Sequence, residues 1–229
     1  SKKVELECDL ILDVRGETPL FNAAEKRDGY QNPHPDNKMA VAMALVELIE
    51  MIGEFEKPRY IDYDSTICAH SASRIKGCTR CIDVCPTSAI KSNQDTINFD
   101  PYVCAGCGNC ASVCPTGAAR YTLPSSDDLM FRLRTLLNSY RRADGVNPQI
   151  LIYDNNWGIE IIAAIARFGP GLPSNMIPFR VNQVRMIGLD FVLTAAALGA
   201  ERTIVLMPPS KVDELSSFES ELHVAYIIF

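Results

Sequence analysis

Eight of the nine cysteines in this chain of 229 residues fall between residues 68 and 114, and their spacing could do chemistry. One unit is written twice. Gly77-Cys78-Thr79-Arg80-Cys81-Ile82-Asp83-Val84-Cys85-Pro86-Thr87 aligns with Gly106-Cys107-Gly108-Asn109-Cys110-Ala111-Ser112-Val113-Cys114-Pro115-Thr116, sharing its Gly, Cys, Val, Pro and Thr positions. The second copy is complete, with Cys104, Cys107, Cys110 and Cys114-Pro115 spelling C-x2-C-x2-C-x3-C-P. Disulfide frameworks belong to short secreted chains, so crowded thiols in a longer chain with no secretory pattern point to metal. Three thiolates on a tight loop can wrap three corners of a small cube, and the fourth corner must be reached from elsewhere. Zinc is the competing chemistry for any pair of C-x2-C motifs, but structural zinc sites lack both the fourth cysteine followed by proline and the repeat.

The repeat resembles that of bacterial two-cluster ferredoxins, in which the last cysteine of each run ligates the other cluster. The resemblance implies two 4Fe-4S clusters. It assigns Cys104, Cys107 and Cys110 with Cys85 to one, and Cys78 and Cys81 with Cys114 to the other, which is left a ligand short. Ile75 stands where the missing cysteine belongs. The nearest upstream thiol is Cys68, separated from Cys78 by nine residues where the second copy has two. Asp64-Ser65-Thr66-Ile67-Cys68 matches Asp100-Pro101-Tyr102-Val103-Cys104, so Cys68 is the expected fourth ligand and Ala69 to Gly77 an insertion after it. If Cys68 stays free, the site holds a 3Fe-4S cluster instead. Cys8, far from the repeat, is expected to be an ordinary buried thiol. His70 is expected to be an exposed loop residue, and Arg74, Lys76 and Arg80 a solvated face.

Short elements must position these thiols. Ala89 to Lys91 and Thr96 to Phe99 flank the polar Ser92-Asn93-Gln94-Asp95 and predict a hairpin. Arg59 to Tyr63 and Ala119 to Leu123 are expected to pair as a second ribbon, with short helical turns following Cys81 and Cys110. The expected fold is therefore α+β and α/β: a ferredoxin-like βαββαβ domain over 59–123, flanked by a parallel-sheet α/β domain. Ser125-Ser126-Asp127-Asp128 starts a linking helix over 124–145, with Leu129, Leu133, Leu136, Leu137 and Tyr140 at helical spacing. Over 146–229 the chain alternates in a Rossmann-like way: strand Ile150 to Tyr153, helix Ile159 to Phe168, strand Met176 to Phe179, helix Ile187 to Leu198, strand Thr203 to Met207, and a helix from Lys211. No G-x-G-x-x-G follows its first strand, and Asn155-Asn156-Trp157 is expected to be a capped turn.

This last part resembles the delta subunit of methyl-viologen-reducing hydrogenase and the related tails of heterodisulfide reductase flavoproteins. The likeness rests on the turn around Trp157, on Ile177-Pro178-Phe179-Arg180, and on Ala195 to Arg202. It departs from them at Asp154 to Gly158, where those relatives carry cysteines. Residues 1–58 hold a strand candidate, Asp9 to Val14, and a helix from about Asp36 to Glu54. Met39, Met43, Val46 and Ile49 form a stripe on that helix that is expected to be core. The region is expected to complete the C-terminal sheet.

A net charge of -6 without a dense Lys/Arg run argues against nucleic acid, and no apolar stretch approaches the length of a membrane span. No nucleophile, base and orienting group announce themselves. The expectation is a cytoplasmic, non-catalytic iron-sulfur component of a larger oxidoreductase. It would relay single electrons to redox partner proteins, and the resemblance suggests a formate dehydrogenase or hydrogenase type complex. A flavin- or nucleotide-binding reductase and an iron-sulfur redox sensor are the alternatives. A start at Ser1 and an apolar end, Val224 to Phe229, fit a piece of something longer.

Overall fold

The computed structural model describes residues 7–21, 27–54, 56–70, 77–209 and 219. The helix expected from Lys211, the end Val224 to Phe229, and Arg74, Ile75 and Lys76 lie outside them. Among the described residues the fold is mixed, with six α-helices and several small sheets.

The strand expected over Asp9 to Val14 is confined to β1 (Ile11–Leu12), which pairs in parallel with β2 (Tyr30–Gln31) and not with the C-terminal sheet. Asp13 ties the pair down. Tyr30 Oη donates to Asp13 Oδ2 at 2.8 Å and Arg15 bonds both carboxylate oxygens, so the Arg15 guanidinium, aided by Tyr30, holds Asp13 well below the usual carboxylate range. Helix α1 (Lys38–Glu50) starts at Asn37, whose Oδ1 accepts from the Ala40 amide at 3.1 Å. It buries Ala44 and Leu48. The stripe of Met39, Met43, Val46 and Ile49, expected as core, is exposed instead. Apolar residues occupy almost every position of this helix, so their period could not select the face that packs.

The thiol-bearing segment runs β3 (Ile61–Tyr63), α2 (Arg80–Asp83), β4 (Ile90–Asn93), β5 (Thr96–Phe99), α3 (Asn109–Ser112), β6 (Ala119–Tyr121). Strands β4 and β5 form an antiparallel hairpin turning at Gln94, which takes φ 54°, and β3 pairs with β6 antiparallel in the register Ile61↔Tyr121. Helix α4 (Ser126–Arg142) is capped by Ser125 Oγ, which accepts from the Asp128 amide at 3.2 Å. Asp127 and Asp128 in its first turn and Arg141 and Arg142 in its last oppose the helix dipole favourably. Its inner side buries Leu129, Leu133 and Leu137.

Strands β7 (Gln149–Tyr153), β8 (Met176–Arg180) and β9 (Arg202–Val205) make a parallel sheet in the order β8-β7-β9, with α5 (Trp157–Phe168) and α6 (Leu189–Ala197) as crossovers. The helix expected over Ile187 to Leu198 begins later, after a separate 3-10 turn at Val184–Met186. The turn at Asn155-Asn156-Trp157 is capped, by Asp154, whose Oδ1 accepts from the amides of Asn156 at 3.1 Å and Gly158 at 2.7 Å. A single cluster of buried side chains runs from Ile61 through Leu133 and Ile150 to Phe191 and Ala195. The small ribbons could not bury enough apolar surface alone; α4 and the parallel sheet supply the rest of the core.

Candidate metal centre

The duplicated sequence produces duplicated local geometry. Asp100 Oδ1 accepts from the amides of Tyr102 at 2.9 Å and Val103 at 3.2 Å, bending the chain into the turn that delivers Cys104. Asp64 does the same ahead of Cys68, accepting from the Thr66 amide at 2.9 Å and hydroxyl at 2.6 Å. Asp64 and Asp100 donate their own amides to equivalent carbonyls, Ala118 and Ala89. Beyond the last cysteine of each copy, Thr87 and Thr116 bring a hydroxyl to 3.8 Å from the sulfurs of Cys85 and Cys114. The matched threonines of the repeat therefore have matched neighbours.

Four thiols meet at each of two cavities. Cys85, from the loop after α2, joins Cys104, Cys107 and Cys110 around a space of about 240 Å³ closed by Tyr60, Ile90 and Phe99. Cys68, Cys78, Cys81 and Cys114 line a second, tighter space of about 20 Å³ with Ile97 and Pro115. Cys68 thus lies on the same wall as Cys78, Cys81 and Cys114. Burial pushes the Cys81 thiol up to about 12, with Cys114, Cys78 and Cys68 beside it adding to the shift. Cys110 is raised well above its ordinary value by burial and by Cys107, Cys104 and Cys85. Thiols so disposed stay protonated until a cation replaces the protons.

Backbone amides point at two of the sulfurs. The Gly106 amide donates to Cys104 Sγ and the Ala119 amide to Cys114 Sγ, both at 3.4 Å. Among the described residues no three His, Cys, Asp or Glu side chains are arranged to hold a single metal ion. Gly106 and Gly108 take φ 67° and 87°, and each is crowded by a neighbour: a Cβ on Gly106 would come within 2.8 Å of the Tyr60 ring, and one on Gly108 within 2.6 Å of Met186. Gly108→Ala is therefore expected to destabilise the protein by about 2–5 kcal/mol, combining a left-handed backbone penalty with an overpacked contact against the Met186 main chain. Gly117→Ala, at φ 67° with nothing within 4 Å, carries only the backbone penalty of about 1–2 kcal/mol. Denaturant midpoints of the two variants measure the difference.

Two residues, one near the repeat and one far from it, are not where the sequence suggested. His70, expected on an exposed loop, has 0% of its surface accessible. Its Nδ1 donates to the Cys78 carbonyl at 2.9 Å and its Nε2 lies 3.0 Å from Ser92 Oγ, so it bridges the far side of the insertion and β4. Cys8, expected to be buried, is exposed. Arg80 is exposed at the rim of the second cavity.

Sequence reasoning passed over Tyr121 and Asn182. Tyr121 Oη donates to the Gly106 carbonyl at 2.7 Å and accepts from Asn182 Nδ2 at 2.7 Å, joining the first thiol loop to the segment after β8. Burial raises the Tyr121 hydroxyl above its ordinary value, which keeps it a donor. No local pattern marks this contact, since it spans 61 residues.

Residues 75–118 match the 4Fe-4S dicluster domain family. The match begins at Ile75 and leaves Cys68 outside. No curated protein and no solved structure matches the chain. No helix among the described residues is long and apolar enough to cross a membrane.

Proposed function

We propose that this chain is an iron-sulfur electron-transfer component of a larger oxidoreductase, holding two 4Fe-4S clusters on a ferredoxin-like βαββαβ unit beside an α/β domain. Cys85, Cys104, Cys107 and Cys110 hold one cluster, and Cys68, Cys78, Cys81 and Cys114 the other. The observation that carries the reading is the gathering of each set of four thiols on one cavity, with the last cysteine of each copy crossing to the other copy's site. A 4Fe-4S cluster, when bound, takes up and returns one electron at a time, at a potential set by hydrogen bonds, charge and solvent access.

The protein's part is to hold and insulate. The Gly106 and Ala119 amides are directed at ligand sulfurs and so favour the reduced, more negative state. Tyr60, Ile90 and Phe99 exclude water from the first site, and Ile97 and Pro115 from the second. A run of eight cysteines offered to iron-sulfur clusters suits a reducing compartment such as the cytoplasm. The resemblance read from the C-terminal sequence, to the delta subunit of methyl-viologen-reducing hydrogenase, would favour partners of hydrogenase or formate dehydrogenase type.

Anaerobically prepared protein is expected to contain about eight irons and about eight sulfides per chain and to titrate in one-electron steps. A colourless protein with stoichiometric zinc and no inorganic sulfide would overturn the proposal.

A further inference from the structure

The outward side of α1 is built like the inside of a protein. Met39 is 71% exposed, Met43 58%, Val46 56% and Ile49 63%, and Ile52 just beyond the helix is 69% exposed. Contiguous apolar surface of this kind on a folded protein marks an interaction site. Its rim is acidic: Glu50, Glu54 and Glu56 are exposed, as are Asp9 and Asp28 nearby. Lys57, near this end of the helix, is already engaged, its Nζ lying 2.5 Å from Asp28 Oδ2 and 2.8 Å from the Tyr102 carbonyl.

The helix also leads toward the thiols. Past Met51 the surface opens into a cleft of about 480 Å³ lined by Met51, Glu56, Lys57, Tyr60 and Tyr102. Tyr60 is a wall of this cleft and of the cavity ringed by Cys85, Cys104, Cys107 and Cys110. Its ring rests against Gly106 in the thiol loop and stacks on Tyr121 with centroids 6.2 Å apart. One side chain thus separates an open, apolar, acid-rimmed surface from the first site. Electron exchange between proteins falls off steeply with distance, so a partner seated on this surface would be well placed for it.

We propose that the exposed face of α1 and the adjoining cleft dock a redox protein that presents an apolar patch ringed by lysine or arginine, with its own redox centre brought up to Tyr60. The inference rests on the electron-transfer reading above. One electron crosses between the centre held by the first thiol set and the partner's centre, so that one is oxidised as the other is reduced; no bond forms or breaks and no proton is required. A second copy of the chain fits less well, because pairing this face with itself would oppose its own carboxylates, whereas a basic ring is attracted to them.

The test uses the cluster-loaded, pre-reduced full chain mixed anaerobically with a basic c-type cytochrome, whose exposed haem edge is ringed by lysines, and in parallel with a small neutral quinone. Wild type is expected to reduce the cytochrome at a rate that falls with added salt. Glu50→Lys/Glu54→Lys/Glu56→Lys is expected to slow that reaction at least about tenfold at low salt and to abolish its salt dependence. Met43→Gln/Val46→Gln/Ile49→Gln is expected to raise the half-saturating cytochrome concentration severalfold while keeping the salt dependence. Both variants keep wild-type iron content and wild-type rates with the quinone. The docking proposal is overturned if iron-replete variants reduce the cytochrome as wild type does, if the wild-type rate is indifferent to salt, or if wild type sediments as a dimer that the glutamine triple variant dissociates. Loss of iron from wild type itself would instead strike the reading beneath it.

Discussion

Cys68→Ala is expected to yield about seven irons and about eight sulfides per chain, in place of about eight of each, with a new paramagnetic signal in the oxidised protein from a three-iron centre. The dicluster family match starts at residue 75, where this chain has Ile75, so the family alone would leave the second site one thiolate short. The fold supplies a replacement. Cys68 is buried in the wall shared with Cys78, Cys81 and Cys114, and the turn that delivers it is the counterpart of the turn that delivers Cys104. Removing its sulfur leaves three thiolates for three irons and nothing for the fourth. Cys8→Ala, at an exposed thiol away from the repeat, is the control and changes neither count. Eight irons retained in Cys68→Ala would show that some other group closes the site.

His70→Ala is expected to empty the second site selectively, lowering iron to about four per chain while the first site keeps its signal. His70 is fully buried: one ring nitrogen bonds the carbonyl of Cys78, a proposed ligand, and the other faces Ser92 on β4. Alanine leaves a cavity and an unpaired buried carbonyl, for which a stability loss of about 2–5 kcal/mol is expected by denaturant titration. His70→Asn retains a donor that can reach the Cys78 carbonyl, and it should recover part of the lost iron. Equal loss of signal from both sites in His70→Ala, with no recovery in His70→Asn, would mean that the residue supports the fold generally and not this loop.

What the sequence made legible follows from where its information is local. The grouping of most of the thiols could be anticipated because the cysteine spacing and the following Pro86 and Pro115 lie within one short, repeated run. The hairpin at Gln94 and helix α4 were equally plain, the first from a polar turn between apolar runs and the second from Ser125 and a leucine row of one period. Helix α1 was recognisable as a helix, but its buried side was not, since Met39, Val41, Met43, Leu45 and Val46 leave no polar face to contrast with the apolar one. His70 was misjudged because the partners that accompany its burial, the Cys78 carbonyl and Ser92, lie outside its own run, where no local pattern announces them. The pairing of β1 with β2 joins two residues from each strand across a polar stretch, too short for any periodicity to announce.

The seam between the thiol-bearing segment and the parallel sheet has a mechanical consequence. Gly108 is pressed against Met186, Gly188 against Ser112, and Tyr121 is fastened to Asn182. A carrier that ferries charge by swinging a tethered head between donor and acceptor needs slack in its joint, and this joint has none. If the chain carries electrons as proposed, its donor and acceptor would each have to come to it, since no swing of the thiol-bearing segment would take it to them.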